Sequence, residues 1–274
     1  MASDAHAHLR DLLQLFLDAE TERRSLGIAC AASSWNGEEF SLHEEIAASA
    51  KHDGAAPLFL CFALHPQVPA SLDNFTRRHQ GAKFQDGLDL LASLASESRI
   101  AAIGETGFDL YSPQYKEIET IQDKLFAAHL EIALRHNLPL VLHVRRAMHK
   151  IFPYTKSLKK LPAVVFHSWP GVPGEGFSLL RRGVEAFFSF GTTLLLNHKN
   201  AVSSCAAFPA DRLLFETDAP WQPLRGREFS RWSDLSCILE AAVKIRNEAG
   251  QKTDAAELER LIDRNFLKIF KPDG

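Results

Sequence analysis

The sequence predicts a (β/α)8 barrel of the TIM type, and three observations carry that prediction. Eight short apolar runs alternate with stretches of helical periodicity. Most of the runs are apolar throughout, as parallel strands covered by helices are. No glycine-rich dinucleotide fingerprint accompanies them, which leaves a doubly wound open sheet as the rival rather than the first choice. A chain of 274 residues suits one barrel domain spanning 1–274, since such barrels run to roughly 250 residues.

Each element has its own signal. Asp4-Ala5-His6-Ala7-His8 reads as a strand before the helical spacing of Leu9, Leu12, Leu13, Phe16 and Leu17. Side chains alternate along a strand, so His6 and His8 point the same way and can share a cation. Leu26 to Ala32 is a compact strand, and Glu38 to Lys51 is helical. Pro57 precedes a strand from Leu58 to Leu64, stopped at His65-Pro66, and a helix follows from about Phe84 to Glu97. Ile100 to Glu105 is the next strand, followed by a long amphipathic helix from Glu117 to Asn137 carrying Ile118, Ile121, Leu125, Ala128 and Ile132. Pro139 to His143 and Ala163 to His167 are strands ending in histidine, separated by a helical stretch, Met148 to Lys160, interrupted at Pro153. Phe177 to Arg182 is a short helix, Glu185 to Phe190 a strand, and Asn200 to Ala207 another short helix. Arg212 to Asp218 is the last strand, stopped by Pro220, and helices at Arg231 to Ala249 and Asp254 to Phe270 close the chain.

Composition excludes several classes. The net charge of −3 with 24% charged residues gives no global cationic field, so any nucleic-acid contact is confined to a site. Cys30, Cys61, Cys205 and Cys237 form no C-x-x-C pair and read as small buried hydrophobes in a reducing compartment. No basic n-region or long apolar run marks a leader or a membrane span. The expectation is a soluble, cytoplasmic protein with no membrane association and no obligate protein partner.

Polar residues stand at the C-terminal ends of the runs: His6 and His8, His65, Glu105, His143, His167 and Asp218. In a barrel these ends converge on one mouth, where active sites are built. A packed core has no use for imidazole and carboxylate at so many strand tips, whereas a metal centre does. His6, His8, His143, His167, Glu105 and Asp218 suit Zn2+, Mn2+, Fe2+ or Mg2+, and the mix alone does not choose. They exceed what one catalytic zinc with an open position needs and suit two divalent metal ions sharing a carboxylate.

Several segments carry a resemblance. Asp4-Ala5-His6-Ala7-His8-Leu9 resembles the opening of the TatD family of metal-dependent hydrolases, and Ile103-Gly104-Glu105-Thr106-Gly107-Phe108-Asp109 is similar to its GEIGLD segment. Leu138-Pro139 through His143-Val144-Arg145-Arg146-Ala147 is similar to its LP…HSRDA segment, and Leu64-His65-Pro66 to its GxHP. His167-Ser168-Trp169-Pro170-Gly171 answers its HxFxG, and Glu216-Thr217-Asp218-Ala219-Pro220-Trp221 its ETDAPY/W. The resemblance implies a barrel hydrolase, typically a DNase. In it His6, His8, Glu105 and Asp218 hold one metal, while Glu105, His143 and His167 hold a second, with Glu105 bridging. It also implies that His65 donates to a substrate phosphate. Val144, Arg146 and Trp169-Pro170 depart from the family pattern beside the ligands, which bears on substrate preference.

Strand parity adds further expectations. Arg145 shares parity with His143 and leans into the mouth, to bind phosphate through its fork or to pair with Glu216. Arg146 has the opposite parity and points away. Glu216 lies one layer below Asp218 as an orienting group. Trp169 and Trp221 either stack on a nucleobase or pack at the rim. Arg225, Arg227 and Arg231 make a local basic patch or a solvated loop. His43, His52, His79, His129, His136, His149 and His198 read as solvated or capping residues.

The chemistry that follows is metal-dependent hydrolysis of phosphodiesters, with DNA as substrate and attack at a strand end. Two cations acidify a shared water and neutralise the phosphoryl oxygens. Asp218, a ligand with a free oxygen, takes the water's proton and passes it to the leaving oxygen, and Glu105 is the other catalytic carboxylate. The same site serves hydrolysis of an ester, lactone or amide, including an aminoacyl ester on tRNA. A non-catalytic metal-binding protein is the third reading.

Overall fold

A computed structural model describes residues 2–71 and 80–271; His79 lies outside the described residues. Eight strands form one sheet in sequential order with every paired neighbour parallel. They are β1 (Ala2–Ala7), β2 (Ile28–Ser34), β3 (Leu58–Phe62), β4 (Ala102–Asp109), β5 (Leu140–Arg145), β6 (Val164–Phe166), β7 (Ala186–Phe190) and β8 (Leu213–Phe215). Between them run α1 (Leu9–Leu15), α2 (Ala19–Ser25), α3 (Gly37–His52), α4 (Val68–Ser71), α5 (Gln80–Ser96), α6 (Pro113–Glu117), α7 (Glu119–His136), α8 (Met148–Ile151), α9 (Thr155–Leu158), α10 (Pro173–Arg181) and α11 (Lys199–Ala207), with α12 (Asp234–Glu248) and α13 (Ala255–Phe270) at the end. The expected barrel is therefore the observed one.

The ring closes between β8 and β1 around a side chain. Asp4, buried, accepts the Thr217 N–H at 3.1 Å and the Thr217 hydroxyl at 2.7 Å. Beyond it the Asp218 N–H donates to the His6 carbonyl at 3.1 Å and the His8 N–H to the Ala219 carbonyl at 2.8 Å. Burial pushes the Asp4 carboxyl up to about 7 although those donors pull it down.

Two apolar layers follow from strand alternation. Inside the barrel Ala5, Ala31, Cys61, Ala102, Val141, Val165, Phe187 and Leu214 pack together, and Phe266, Ile269 and Phe270 of α13 close the floor. Asp254 starts α13 by accepting the Glu257 N–H at 2.9 Å, an N-cap that lets the apolar stripe below begin on register. The opposite faces of the strands, with Phe62, Phe108, Phe166 and Phe188, pack against the surrounding helices.

Two strands carry a bulge where the site begins. Asp4 to Ala7 of β1 spans the same length as Cys30 to Ala32 of β2, and Ile103 to Thr106 of β4 the same as Leu140 to Leu142 of β5. The extra residue re-aims the side chains beside it. Ala5 packs in the interior layer, and its neighbour His6 also faces inward, its Nδ1 3.3 Å from the Ser33 hydroxyl. β4 runs on to Asp109, paired with β5 from Thr106 onward, instead of ending at Glu105. Gly107 in β4 has φ of +134°, and a Cβ there would sit 2.2 Å from the His143 carbonyl, so only glycine fits this close strand pair.

Other differences have local causes. The first helix ends at Leu15, because Leu17 is 87% exposed and leaves the core-facing stripe, and α2 follows it as a helix not expected from the sequence. In α2 the core position belongs to a buried Arg23, whose guanidinium pairs with Glu20 at 2.8 Å and donates to the Ile28 carbonyl at 2.6 Å. A charged residue in that place hides the helix from hydrophobic periodicity. Cys30, Cys61 and Cys205 are free and buried as expected, whereas Cys237 corrects that expectation: it is free but exposed, on the solvent side of α12. No helix among the described residues is long and apolar enough to cross a membrane.

His43 and His129 correct the expectation of solvated helix residues: both are fully buried. His129 Nε2 accepts the Leu64 N–H at 3.2 Å, and its Nδ1 is 2.6 Å from the Thr106 hydroxyl. His43 Nε2 accepts the Arg10 N–H at 3.1 Å, with Nδ1 2.8 Å from the Ser34 hydroxyl. Each ring needs a bare Nε2 and is therefore neutral, tying a helix to the chain beside a strand end. Burial holds the His129 pKa down at about 3.

The unfolded chain protonates this ring near 6.5, so His129 favours folding above that pH and loses its contribution as pH falls towards about 3. Between pH 6.5 and 5 the loss amounts to about 2 kcal/mol. Urea unfolding of the parent and of His129→Gln at pH 7 and pH 5 checks this. The variant is less stable at pH 7, and the gap narrows by roughly that amount at pH 5; a constant gap would contradict a neutral, buried ring.

Candidate metal centre

At the mouth of the barrel one buried carboxylate, Glu105, faces ring nitrogens with both of its oxygens. Its Oε2 lies 3.2 Å from His6 Nε2 and 3.4 Å from His8 Nε2. Its Oε1 lies 2.6 Å from His143 Nδ1, 3.2 Å from His167 Nε2 and 3.3 Å from His65 Nε2. The β4 bulge aims this side chain; β1, β5 and the turns after β3 and β6 bring the rings.

The first donor set is completed from the turn after β8. Asp218 Oδ1 is 3.6 Å from His6 Nε2 and 3.5 Å from His8 Nε2, and the two Nε2 atoms are 3.2 Å apart. A tetrahedral cation with bonds of about 2.0–2.1 Å holds its donors about 3.3 Å apart. The observed separations match, and two facing imidazole nitrogens beside two carboxylate oxygens are the donors such a cation takes. On the other side Glu105 Oε1 meets His65, His143 and His167. The 2.6 Å contact to His143 is a hydrogen-bond length, shorter than a coordination edge, so a cation there would part that pair.

A second layer of polar contacts orients the donors. Glu216 Oε1 is 3.0 Å from His167 Nδ1 and accepts the Ser168 N–H at 2.7 Å. Asp109 Oδ2 is 3.1 Å from His143 Nε2 and accepts from Gln67 Nε2 at 2.6 Å. The Gln67 N–H in turn donates to His65 Nδ1 at 3.2 Å. Gln222 Nε2 donates to Asp218 Oδ2 at 2.6 Å and to the Ser168 hydroxyl at 2.8 Å.

Charge follows from these contacts. Burial drives the Glu105 carboxyl up, yet the His65, His167, His6 and His143 rings hold it well below the usual carboxylate range. Burial opposes a charged His8, but Asp218 and Glu105 outweigh it and hold the ring up at about 10. His6, without enough compensation for its burial, is lowered.

The structure thus brings together His6, His8, Glu105, His143, His167 and Asp218, and adds His65 to the same carboxylate. Four expectations are corrected. Arg145 does not pair with Glu216, which serves His167; its guanidinium lies 3.8 Å over the Tyr111 ring. Arg146 does not point away: its φ is +55°, so alternation fails there, and its guanidinium lies 4.7 Å from the same ring. The second oxygen of Asp218 is not free but takes the Gln222 amide. Trp169 is 3% exposed and bonds Ser204, so it is core, whereas Trp221 is 52% exposed with its ring 6.5 Å from that of His8. Arg227 and Arg231 are spoken for by Asp234 and Glu22. Asp109, Gln67 and Gln222 are additions to the residues expected from the sequence. Asp109 ends the Ile103–Asp109 segment, but nothing in residue order marks the other two.

Comparison with known proteins gives a consistent answer. The family described as TatD related DNase matches residues 3–271. An uncharacterized metal-dependent hydrolase of Mycoplasma pneumoniae is 30% identical over 189 residues, covering 66% of this chain and 69% of that protein. The 3′-5′ ssDNA/RNA exonuclease TatD of Dickeya dadantii is 32% identical over 194 residues, covering 68% and 71%. The crystal structure of a TatD homologue from Escherichia coli superimposes with a TM-score of 0.80 at 21% identity, covering 98% and 97% of the two chains, a likeness of fold. The chain belongs to the TatD family of metal-dependent hydrolases.

Proposed function

We propose that this protein hydrolyses phosphodiester bonds at an end of single-stranded nucleic acid, DNA first, with two divalent metal ions (Mg2+, Mn2+ or Zn2+). The observation that carries the reading is the Glu105 carboxylate, whose two oxygens divide the ring nitrogens into two adjacent donor sets. The name of the Dickeya dadantii relative supports the substrate class. In this reading His6, His8, Glu105 and Asp218 hold one ion, and Glu105, His143 and His167 hold the other, with His65 beside them. The ions supply charge neutralisation of the phosphoryl oxygens and an acidified water.

The chain's own residues do the rest. Asp218 is ionised, because burial raises its carboxyl but His167, His8 and His6 draw it below the usual range. The Gln222 amide fixes Oδ2 and leaves it one lone pair, where the proton of the attacking water is held before it passes to the leaving oxygen. Glu216 keeps His167 Nε2 turned inward by occupying Nδ1, and Asp109 holds the ring of His143. Trp221, exposed beside His8, offers a face for the terminal base.

Elemental analysis of protein equilibrated with Mn2+ or Zn2+ and desalted should give about two ions per chain, as two-metal hydrolases bind. Stoichiometry near zero would remove the mechanism.

Asp218 and Glu216 separate in their effects. Asp218→Asn is expected to lower turnover of a single-stranded oligonucleotide by a hundredfold or more, roughly the general acid–base range. Glu216→Gln should retain metal and lose about ten- to a hundredfold, as changes behind a ligand do. Turnover, metal content and melting temperature of both variants decide it. An Asp218→Asn protein as fast as the parent would sink the assignment. A panel including an aryl ester and an aminoacyl ester separates the bond classes, and faster turnover of either than of the oligonucleotide would overturn the phosphodiester reading.

A further inference from the structure

Outside the donor cluster, a cleft of about 830 Å3 opens at the barrel mouth, lined by Tyr111, Arg145, Arg146, His149, His198 and Asn200 among others. Both guanidiniums lie over one half-exposed ring, Arg145 at 3.8 Å and Arg146 at 4.7 Å from the Tyr111 centroid. Neither arginine has a carboxylate within salt-bridge distance among the described residues, whereas Arg227 and Arg231, the basic residues after β8, are paired with Asp234 and Glu22. Glu175, which also lines the cleft, turns its carboxylate to the Val172 N–H at 2.9 Å.

The cleft is tied to the metal centre by Asp109. Its Oδ1 accepts the Tyr111 N–H at 2.8 Å, while its Oδ2 faces His143 Nε2 at 3.1 Å. Arg145 stands opposite Asp109 in the β4–β5 register, and the Leu110 N–H donates to the Arg145 carbonyl at 2.9 Å. Tyr111 and the two arginines are thereby held in fixed relation to a candidate ligand. A guanidinium stacked on an aromatic face keeps its N–H edge free, and that edge matches two phosphate oxygens at once.

We propose that Tyr111, Arg145 and Arg146 form a subsite for an uncleaved phosphate of the same single strand, next to the bond that is cut; the proposal rests on the phosphodiesterase reading above. Its chemistry is that of an anionic backbone. Two unpaired cations in a protein of net charge −3 supply locally what the whole surface lacks, and the left-handed backbone at Arg146 is what adds the second cation to the first.

The test compares Arg146→Gln and Tyr111→Leu with the parent on two substrates, a single-stranded oligodeoxynucleotide and bis(4-nitrophenyl) phosphate, which has only one phosphate. The ratio of kcat/KM for the oligonucleotide to that for the small diester should fall at least tenfold in Arg146→Gln. The log–log dependence of oligonucleotide KM on salt should flatten by about 0.7 for each phosphate that the variant no longer neutralises. Tyr111→Leu should shift the ratio in the same direction, because it removes the platform and not the charge. An unchanged ratio and salt slope in both variants would overturn the subsite. Fluorescence anisotropy of the labelled oligonucleotide gives a readout independent of cleavage. If the parent cleaves neither substrate, the phosphodiesterase reading has failed, and weaker binding by the variants still supports the anion subsite while equal binding refutes it.

Discussion

The constraint on which the site depends is a buried anion. Glu105 is 3% exposed in the centre of a closed sheet, where an uncompensated carboxylate is strongly disfavoured. Compensation comes from every side: His6 and His8 at one oxygen, and His65, His143 and His167 at the other. Those rings come from the ends of four strands, β1, β3, β5 and β6, so the charge balance exists only when the strands are assembled. The same arrangement explains why metal suits the place. Facing imidazole nitrogens at coordination spacing repel as protonated groups and share protons poorly as neutral ones, and cations relieve both conflicts.

The barrel was legible in the sequence because buried parallel strands leave a simple trace, an apolar run that ends abruptly in a polar residue. The candidate donors stood out for the same reason, since His143, His167 and Glu105 break those runs. The bulges in β1 and β4 were not. Alternation assigns Ala5 and His6 to opposite faces, and only the inserted residue lets both face inward. Helix α2 escaped because its core residue is Arg23, whose charge is met by Glu20 and by the Ile28 and Ala56 carbonyls. His43 and His129 escaped because nothing in their helices announces that a backbone N–H from elsewhere in the chain, Arg10 or Leu64, fills one ring nitrogen.

Parity arguments failed at the ends of the ladder. Within β5 the rule places Val141 and His143 inward, as observed. One residue past the strand, Arg146 adopts a left-handed backbone and joins Arg145 on Tyr111. Asp218 does the same with φ of +54°, beyond the end of β8 at Phe215. Strand period is a property of paired backbone, and Arg146 and Asp218 sit where pairing stops.

That is also why the seam between β8 and β1 matters. A continued ladder there would have kept Asp218 in strand geometry. Instead the Asp4 carboxylate takes the Thr217 N–H and hydroxyl, the Asp218 N–H meets the His6 carbonyl, and the His8 N–H meets the Ala219 carbonyl. These contacts fasten the backbones of three donors, His6, His8 and Asp218, to one another directly. The left-handed turn then swings the Asp218 carboxylate over the two rings, and Gln222, itself at φ of +55°, holds it from the far side. The geometry of these candidate donors is therefore a consequence of how the barrel closes. A side chain replaces the ladder at the one place where the first and last strands bring their donors together.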